Sequence, residues 1–117
     1  MIKELIDRVF ALRDVSHLAH WSTKSYAEHM ALNDFYDGLV DKIDGIVEAY
    51  QGQFGIIKGI KLECTMKGDI IDLIGEEAAW IAKNRLKIAE GNDMLVNMID
   101  DLSSLYSTTF YKLKNLR

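Results

Sequence analysis

SYAEHMALNDFYDGLVDKIDGIVEAYQ, residues 25–51, is the stretch on which the fold turns. Leu32, Tyr36, Leu39, Ile43, Ile46 and Tyr50 follow one another at steps of four, three, four, three and four residues, the spacing that lines one face of an α-helix. Ser25 stands where an N-cap belongs, and Glu28 three residues on completes a capping box. A helix is therefore predicted from near Tyr26 to about Gln51. A second, polar stripe runs beside the apolar one: at about 100° per residue, His29, Asn33, Asp37, Asp44 and Glu48 fall on one side. Imidazole and carboxylate groups on inward-facing helices are how four-helix bundles hold iron, manganese or zinc.

The pattern continues on both sides. Upstream, Ile2, Leu5, Ile6, Val9, Phe10, Leu12, Ser16 and Ala19 recur at helical spacing and predict a first helix that carries His17 and His20-Trp21 and stops near Ser22. Downstream, periodicity fails from Gly52 to Gly68. Gly55 and Gly59, with Lys58, Lys61 and Lys67, mark a long connection with at most one short helical turn. Asp69 is the expected cap of a third helix with Ile70, Ile71, Ile74, Ala78, Ile81 and Ile88 inward, ended by Gly91. Asn92 opens a fourth, with Leu95, Met98, Leu102, Leu105, Thr109, Leu113 and Leu116 as its seam. A chain of 117 residues without proline suits one domain, residues 1–117, folded as an all-α antiparallel four-helix bundle. Short links pair the first helix with the second and the third with the fourth, while the long one is free to cross the bundle.

Composition narrows the function. Fourteen basic against eighteen acidic residues give a net charge of -4, so the overall field repels phosphate, and nucleic acid is not an expected partner. The one cysteine, Cys64, has no internal disulfide partner, and charges interrupt the apolar run from Met1 to Arg8. Neither a signal peptide nor a membrane span is expected, and a reducing cytoplasm fits. There is no glycine-rich phosphate loop, nucleophile elbow or Cys-x-x-Cys pair to support nucleotide hydrolysis, triad hydrolysis or a zinc finger. Lys61 and Lys67 near Cys64 favour a thiolate, but an inert thiol is the simpler reading. Trp80, after Ala78 and Ala79, reads as a packing residue, and the basic tail Tyr111 to Arg117 as a complement to the helix dipole.

All three histidines lie between positions 17 and 29. His29 and Asp44 are fifteen residues apart on one helix, roughly 22 Å along its axis, too far to share an ion within one chain. A second copy of the helix, antiparallel across a two-fold axis, would set its Asp44 and Glu48 opposite His29, while His20 approaches His29 through the short turn. The candidate metal set is thus His20 and His29 of one chain with Asp44 and Glu48 of the other, and Asn33 and Asp37 alongside. The alternative is that the acids are a solvated helix face and the histidines packing groups, in a metal-free interaction or assembly protein whose polar stripe sets dimer register.

His20-Trp21 closing the first helix, His29 early on the second and Asp44-x-x-x-Glu48 after it together resemble the ferroxidase motif of the DNA-protection-during-starvation (Dps) branch of ferritin-like proteins. The resemblance runs from His20 to about Gly55. It implies a ferritin-like bundle and oxidation of ferrous iron at a site between two subunits. His20 and His29 match the family's histidines, and Asp44 and Glu48 its bridging acids. Iron is then the preferred ion, with zinc or manganese next, and any activity is that of a ferroxidase using dioxygen or hydrogen peroxide. Trp21 and Tyr50 become candidates for quenching radicals. The chain departs from the family at Asn33, where an aspartate is usual and for which Asp37 would substitute, and in the nine-residue interval from His20 to His29, which is shorter than the family's. It also shows no lysine-rich tail before the first helix, the usual means of binding DNA. The His-Trp and Ala27-Glu28-His29 blocks are similar to those of small bacteriophage proteins as well, from which no function follows.

Overall fold

The computed structural model describes residues 1–116, and among these the secondary structure is four helices and no strands: α1 (Ile2–Ser22), α2 (Tyr26–Phe54), α3 (Ile70–Ile88) and α4 (Asp93–Asn115). Arg117, the last residue of the basic tail, lies outside the described residues. Three helix starts are secured locally, by side chains that satisfy backbone N–H groups with no partner inside the helix. Ser25 Oγ accepts from the Glu28 N–H at 3.2 Å, Asp69 Oδ2 from Asp72 at 3.3 Å and Asn92 Oδ1 from Leu95 at 3.0 Å. Gly55, at φ 92°, ends α2 in a backbone conformation that side chains disfavour.

Each helix touches two others: α1 packs on α2 and α3, and α4 on the same two. Contacts along each pair fix direction. On α2 and α4, Asn92 meets Gln53, Lys42 meets Asp101 and Phe35 meets Tyr106, so the two run antiparallel. Arg85 pairs with Asp100, and Gly75 faces Phe110, so α3 and α4 are antiparallel as well. α2 and α3 are therefore parallel, and residues 55–69 climb the length of the bundle between them. The molecule is 44 Å long, close to the roughly 43 Å that a 29-residue helix such as α2 spans at 1.5 Å per residue.

The connection carries no helix of its own; α2 instead continues through Gly52 to Phe54. It is held down by polar contacts. Gln51 Oε1 accepts the Ile57 N–H at 3.1 Å, and Asp7 Oδ1 on α1 accepts the N–H groups of Glu63 and Cys64 at 3.0 Å each. Beside Asp7 and Glu77, the half-buried Cys64 thiol is raised above its ordinary value, chiefly by burial and then by those carboxylates. The expected influence of Lys61 and Lys67 is outweighed, and the thiol stays protonated.

The core is apolar and continuous through all four helices. Two seam residues turn outward: Phe10 is 39% exposed and Leu116 54%. On α4 the buried stripe is Leu95, Val96, Ile99, Leu102, Tyr106, Thr109 and Leu113, which takes in Ile99 and Tyr106 and leaves Met98 and Leu105 half-buried. Those two cover glycines of α2 instead: an added Cβ at Gly38 would lie 2.9 Å from Leu105, and one at Gly45 would lie 3.6 Å from Met98. Trp80 packs as expected, under the Arg8 guanidinium 4.3 Å from its ring centre, and Arg8 also holds the buried Glu77 carboxylate at 2.9 Å. No helix among the described residues is long and apolar enough to cross a membrane.

Candidate functional site

The link between α1 and α2 is three residues, Thr23 to Ser25, closed by the Thr23 hydroxyl accepting the Ser25 N–H at 3.1 Å. So tight a turn brings the end of one helix against the start of the next. His20 and His29 stack with ring centres 3.8 Å apart and planes at 19°. The short interval between them thus leaves the two imidazoles face to face.

A helix ends with carbonyls that have no partner in the next turn, and His20 O is one of them. His29 Nδ1 lies 2.8 Å from it. A carbonyl can only accept, so Nδ1 is the donor and carries a proton. His20 itself is 7% exposed. Burial above all, then the neighbouring His29 and His17, push its pKa below the usual 6.5, against a smaller opposing pull from Asp37. At neutral pH the ring is uncharged. Its Nδ1 is buried without a hydrogen-bond partner, and so is Ser16 Oγ.

His17, one turn before His20, completes the cluster. Its ring stacks on Tyr36 at 4.1 Å and 13° and lies 4.5 Å from Trp21, while Tyr36 meets His20 edge-on at 5.3 Å. The Tyr36 hydroxyl donates to Asn33 Oδ1 at 2.8 Å, and the Arg13 guanidinium lies 5.6 Å from its ring centre. The spacing of His17 and His20 places them on one helix face, yet neither His17 nor Tyr36, a seam residue by its period, belongs to the ligand set expected from the sequence.

The candidate carboxylates spread along α2. Asp37 is exposed on the next turn of α2 from Asn33. Asp44 and Glu48 are exposed farther down, on an outward groove between α1 and α2 that Ile6, Phe10, Val40, Ile43 and Val47 line with Ile60 and Leu62 of the connection. Neither acid enters an ion pair among the described residues. Tyr50 is at the opposite end of the bundle from the histidines, where its hydroxyl donates to Glu90. That bond and burial push its pKa up to about 12. Among the described residues no three His, Cys, Asp or Glu side chains converge so as to hold a metal ion. One chain thus assembles the imidazoles, with Asp37 near enough to act on His20, and leaves Asp44 and Glu48 apart from them.

A model of DUF5856, a family of unknown function, matches residues 20–113, from the buried histidine to the last core leucine of α4. No curated protein and no solved structure matches the chain.

Proposed function

Since the chain belongs to the DUF5856 family, whose function is unknown, we propose its role from the site's own chemistry: a metal-binding helical bundle, with iron the preferred ion, that acts as a two-fold pair. His20 and His29 of one chain face Asp44 and Glu48 of its mate. The observation that carries this reading is the bond from His29 Nδ1–H to His20 O, at 2.8 Å, which orients the ring and leaves Nε2 as the nitrogen open to an ion, beside the uncharged His20 imidazole. Metal-ligating histidines are held in this way, by donating their other N–H to a carbonyl or carboxylate. The donor set of neutral imidazole and carboxylate suits iron, manganese or zinc.

The pairing has support of its own. Midway between His29 and Asp44–Glu48 lies the stretch around Asp37 and Gly38. An antiparallel crossing of two α2 helices there sets the imidazoles level with the acids. Phe10, Val40, Ile60 and Leu62 are exposed on the same side, an apolar surface of the kind that subunit contacts cover. Such a crossing also brings like-charged Asp37 and Asp41 of both chains together, so a bound cation would strengthen the pair.

With ferrous iron as substrate, two ions lose one electron each and hydrogen peroxide takes both with two protons, leaving two waters. The chain's own part is to bind and orient. His20 and His29 present imidazole nitrogen, Tyr36 holds Asn33 and stacks on His17, and the exposed rings of Trp21 and Tyr26 lie against His17 and His29 respectively. Asn33 is a weak ligand, since its amide oxygen already accepts from Tyr36. The lone, protonated cysteine suits a reducing cytoplasm.

A second reading rests on the parallel stack of His20 and His29, whose in-plane lone pairs run side by side rather than toward one point. On that reading the cluster is a polar clasp on the α1–α2 turn of a metal-free assembly protein. Elemental analysis of the purified protein with sizing in solution separates the two. Iron or another transition metal bound to a dimer, and lost with His20→Ala/His29→Ala while the dimer persists, supports the metal reading. A metal-free dimer indifferent to those substitutions supports the clasp.

A further inference from the structure

Ser16 Oγ and His20 Nδ1 are both buried and both without a hydrogen-bond partner. They stand one helical turn apart on the core face of α1, with Ser16 at 0% exposure and His20 at 7%. A hydroxyl in mid-helix ordinarily faces solvent or bonds the carbonyl four residues back, and Ser16 does neither. Buried polar groups are almost always satisfied, so two orphans within a turn of each other call for a common explanation.

We infer that Ser16 is the positioning residue of His20: its hydroxyl accepts the His20 Nδ1 proton and so keeps the Nε2 lone pair free for the site. This rests on the metal reading above, because a histidine that ligates through Nε2 must carry its proton on Nδ1, and that proton needs an acceptor. Ser16 Oγ, one turn back on the same buried face and itself unpartnered, is the oxygen that matches it. The arrangement repeats what His29 does with the His20 carbonyl, so α1 supplies the acceptor for both imidazoles. His17 and Tyr36, the other rings against His20, meet it through ring contacts and make no hydrogen bond to Nδ1.

The test is 15N NMR of the imidazole rings in the full-length, metal-free protein, for wild type, Ser16→Ala and Ser16→Thr, with Co(II) alone as the binding probe. Wild type and Ser16→Thr are expected to hold the His20 proton on Nδ1, and Ser16→Ala to shift it toward Nε2. Co(II) affinity should fall about tenfold to a hundredfold in Ser16→Ala, the usual effect of removing a group that orients a ligand, with helix content unchanged. A proton that stays on Nδ1 in Ser16→Ala, with Co(II) bound as in wild type, overturns the inference and leaves the metal site standing. Wild type that takes up no Co(II), while Ser16→Ala still moves the proton, refutes the metal site and upholds the hydrogen bond.

Discussion

Mixing two variants that each lack one half of the proposed site is the sharpest test of whether that site is shared. His20→Ala/His29→Ala removes the imidazoles, and Asp44→Ala/Glu48→Ala removes the acids. Fifteen residues of continuous helix separate His29 from Asp44, about 22 Å of axis, against ligand bonds near 2 Å, so neither variant holds metal by itself. A two-fold pair has two equivalent sites. In a mixed pair, one site lacks everything and the other takes imidazoles from one chain and acids from the other. Random exchange makes half of all pairs mixed, and the equal mixture should recover about one quarter of wild-type capacity. Asp44 and Glu48 are exposed, so the acid variant is mild for the fold. His20 is buried, and removing its ring costs about 2–5 kcal/mol beyond the roughly 1 kcal/mol of the His29 hydrogen bond, so helix content and dimer size of each variant are measured before mixing. Co(II) binding by equilibrium dialysis, before and after subunit exchange, reads the recovery. The reasoning is refuted if exchanged dimers bind no more than the two variants do separately, or if either variant alone binds at wild-type capacity.

Three further outcomes follow from the packing. Gly45→Ala places its methyl 3.6 Å from Met98, an ordinary contact, and should raise stability by the roughly 0.5–1 kcal/mol that glycine costs in mid-helix; Gly38→Ala, 2.9 Å from Leu105, should gain less, and thermal midpoints in the reverse order would contradict this. Asp7→Ala frees the N–H groups of Glu63 and Cys64 and removes a charge that holds the Cys64 thiol protonated, so alkylation of Cys64 should quicken; an unchanged rate would show that Asp7 does not hold the connection. His20 has a folded pKa below 6.5, so near and below that pH the unfolded chain binds more protons and stability is lost as pH falls. The melting temperature should drop from pH 7 toward about 5.5, and less steeply in His20→Gln; equal slopes would remove His20 as a cause.

Helix ends were the easiest features to read, because a cap is a contact between residues three apart. Ser25, Asp69 and Asn92 act where the sequence placed them. The end of α2 was harder. Gly52 reads as a breaker, but the helix passes through it, held on either side by contacts with other elements: Tyr50 to Glu90 before it and Gln53 to Asn92 after it. Phe10 fits the α1 period and still lies partly in solvent, because periodicity gives the angle between residues and leaves the position of the neighbouring helix open. The α4 stripe shifted for the same reason: it faces both α2 and α3, so its buried arc is wider than a single seam. At the site, the approach of His20 to His29 follows from a short turn, whereas the stack of His17 on Tyr36 depends on how two helices are rotated against each other.

From its sequence alone this chain is a set of four amphipathic helices with a long connection, since spacing, capping and the lack of proline act over a turn or two of backbone. Tertiary structure decided that α2 and α3 run parallel, that the imidazoles stack while the acids stay at a distance, and that Ser16 and His20 each hide a polar atom without a partner. Those outcomes depend on which helix faces which and at what rotation, a balance of burial summed over the whole core that no short stretch of residues contains.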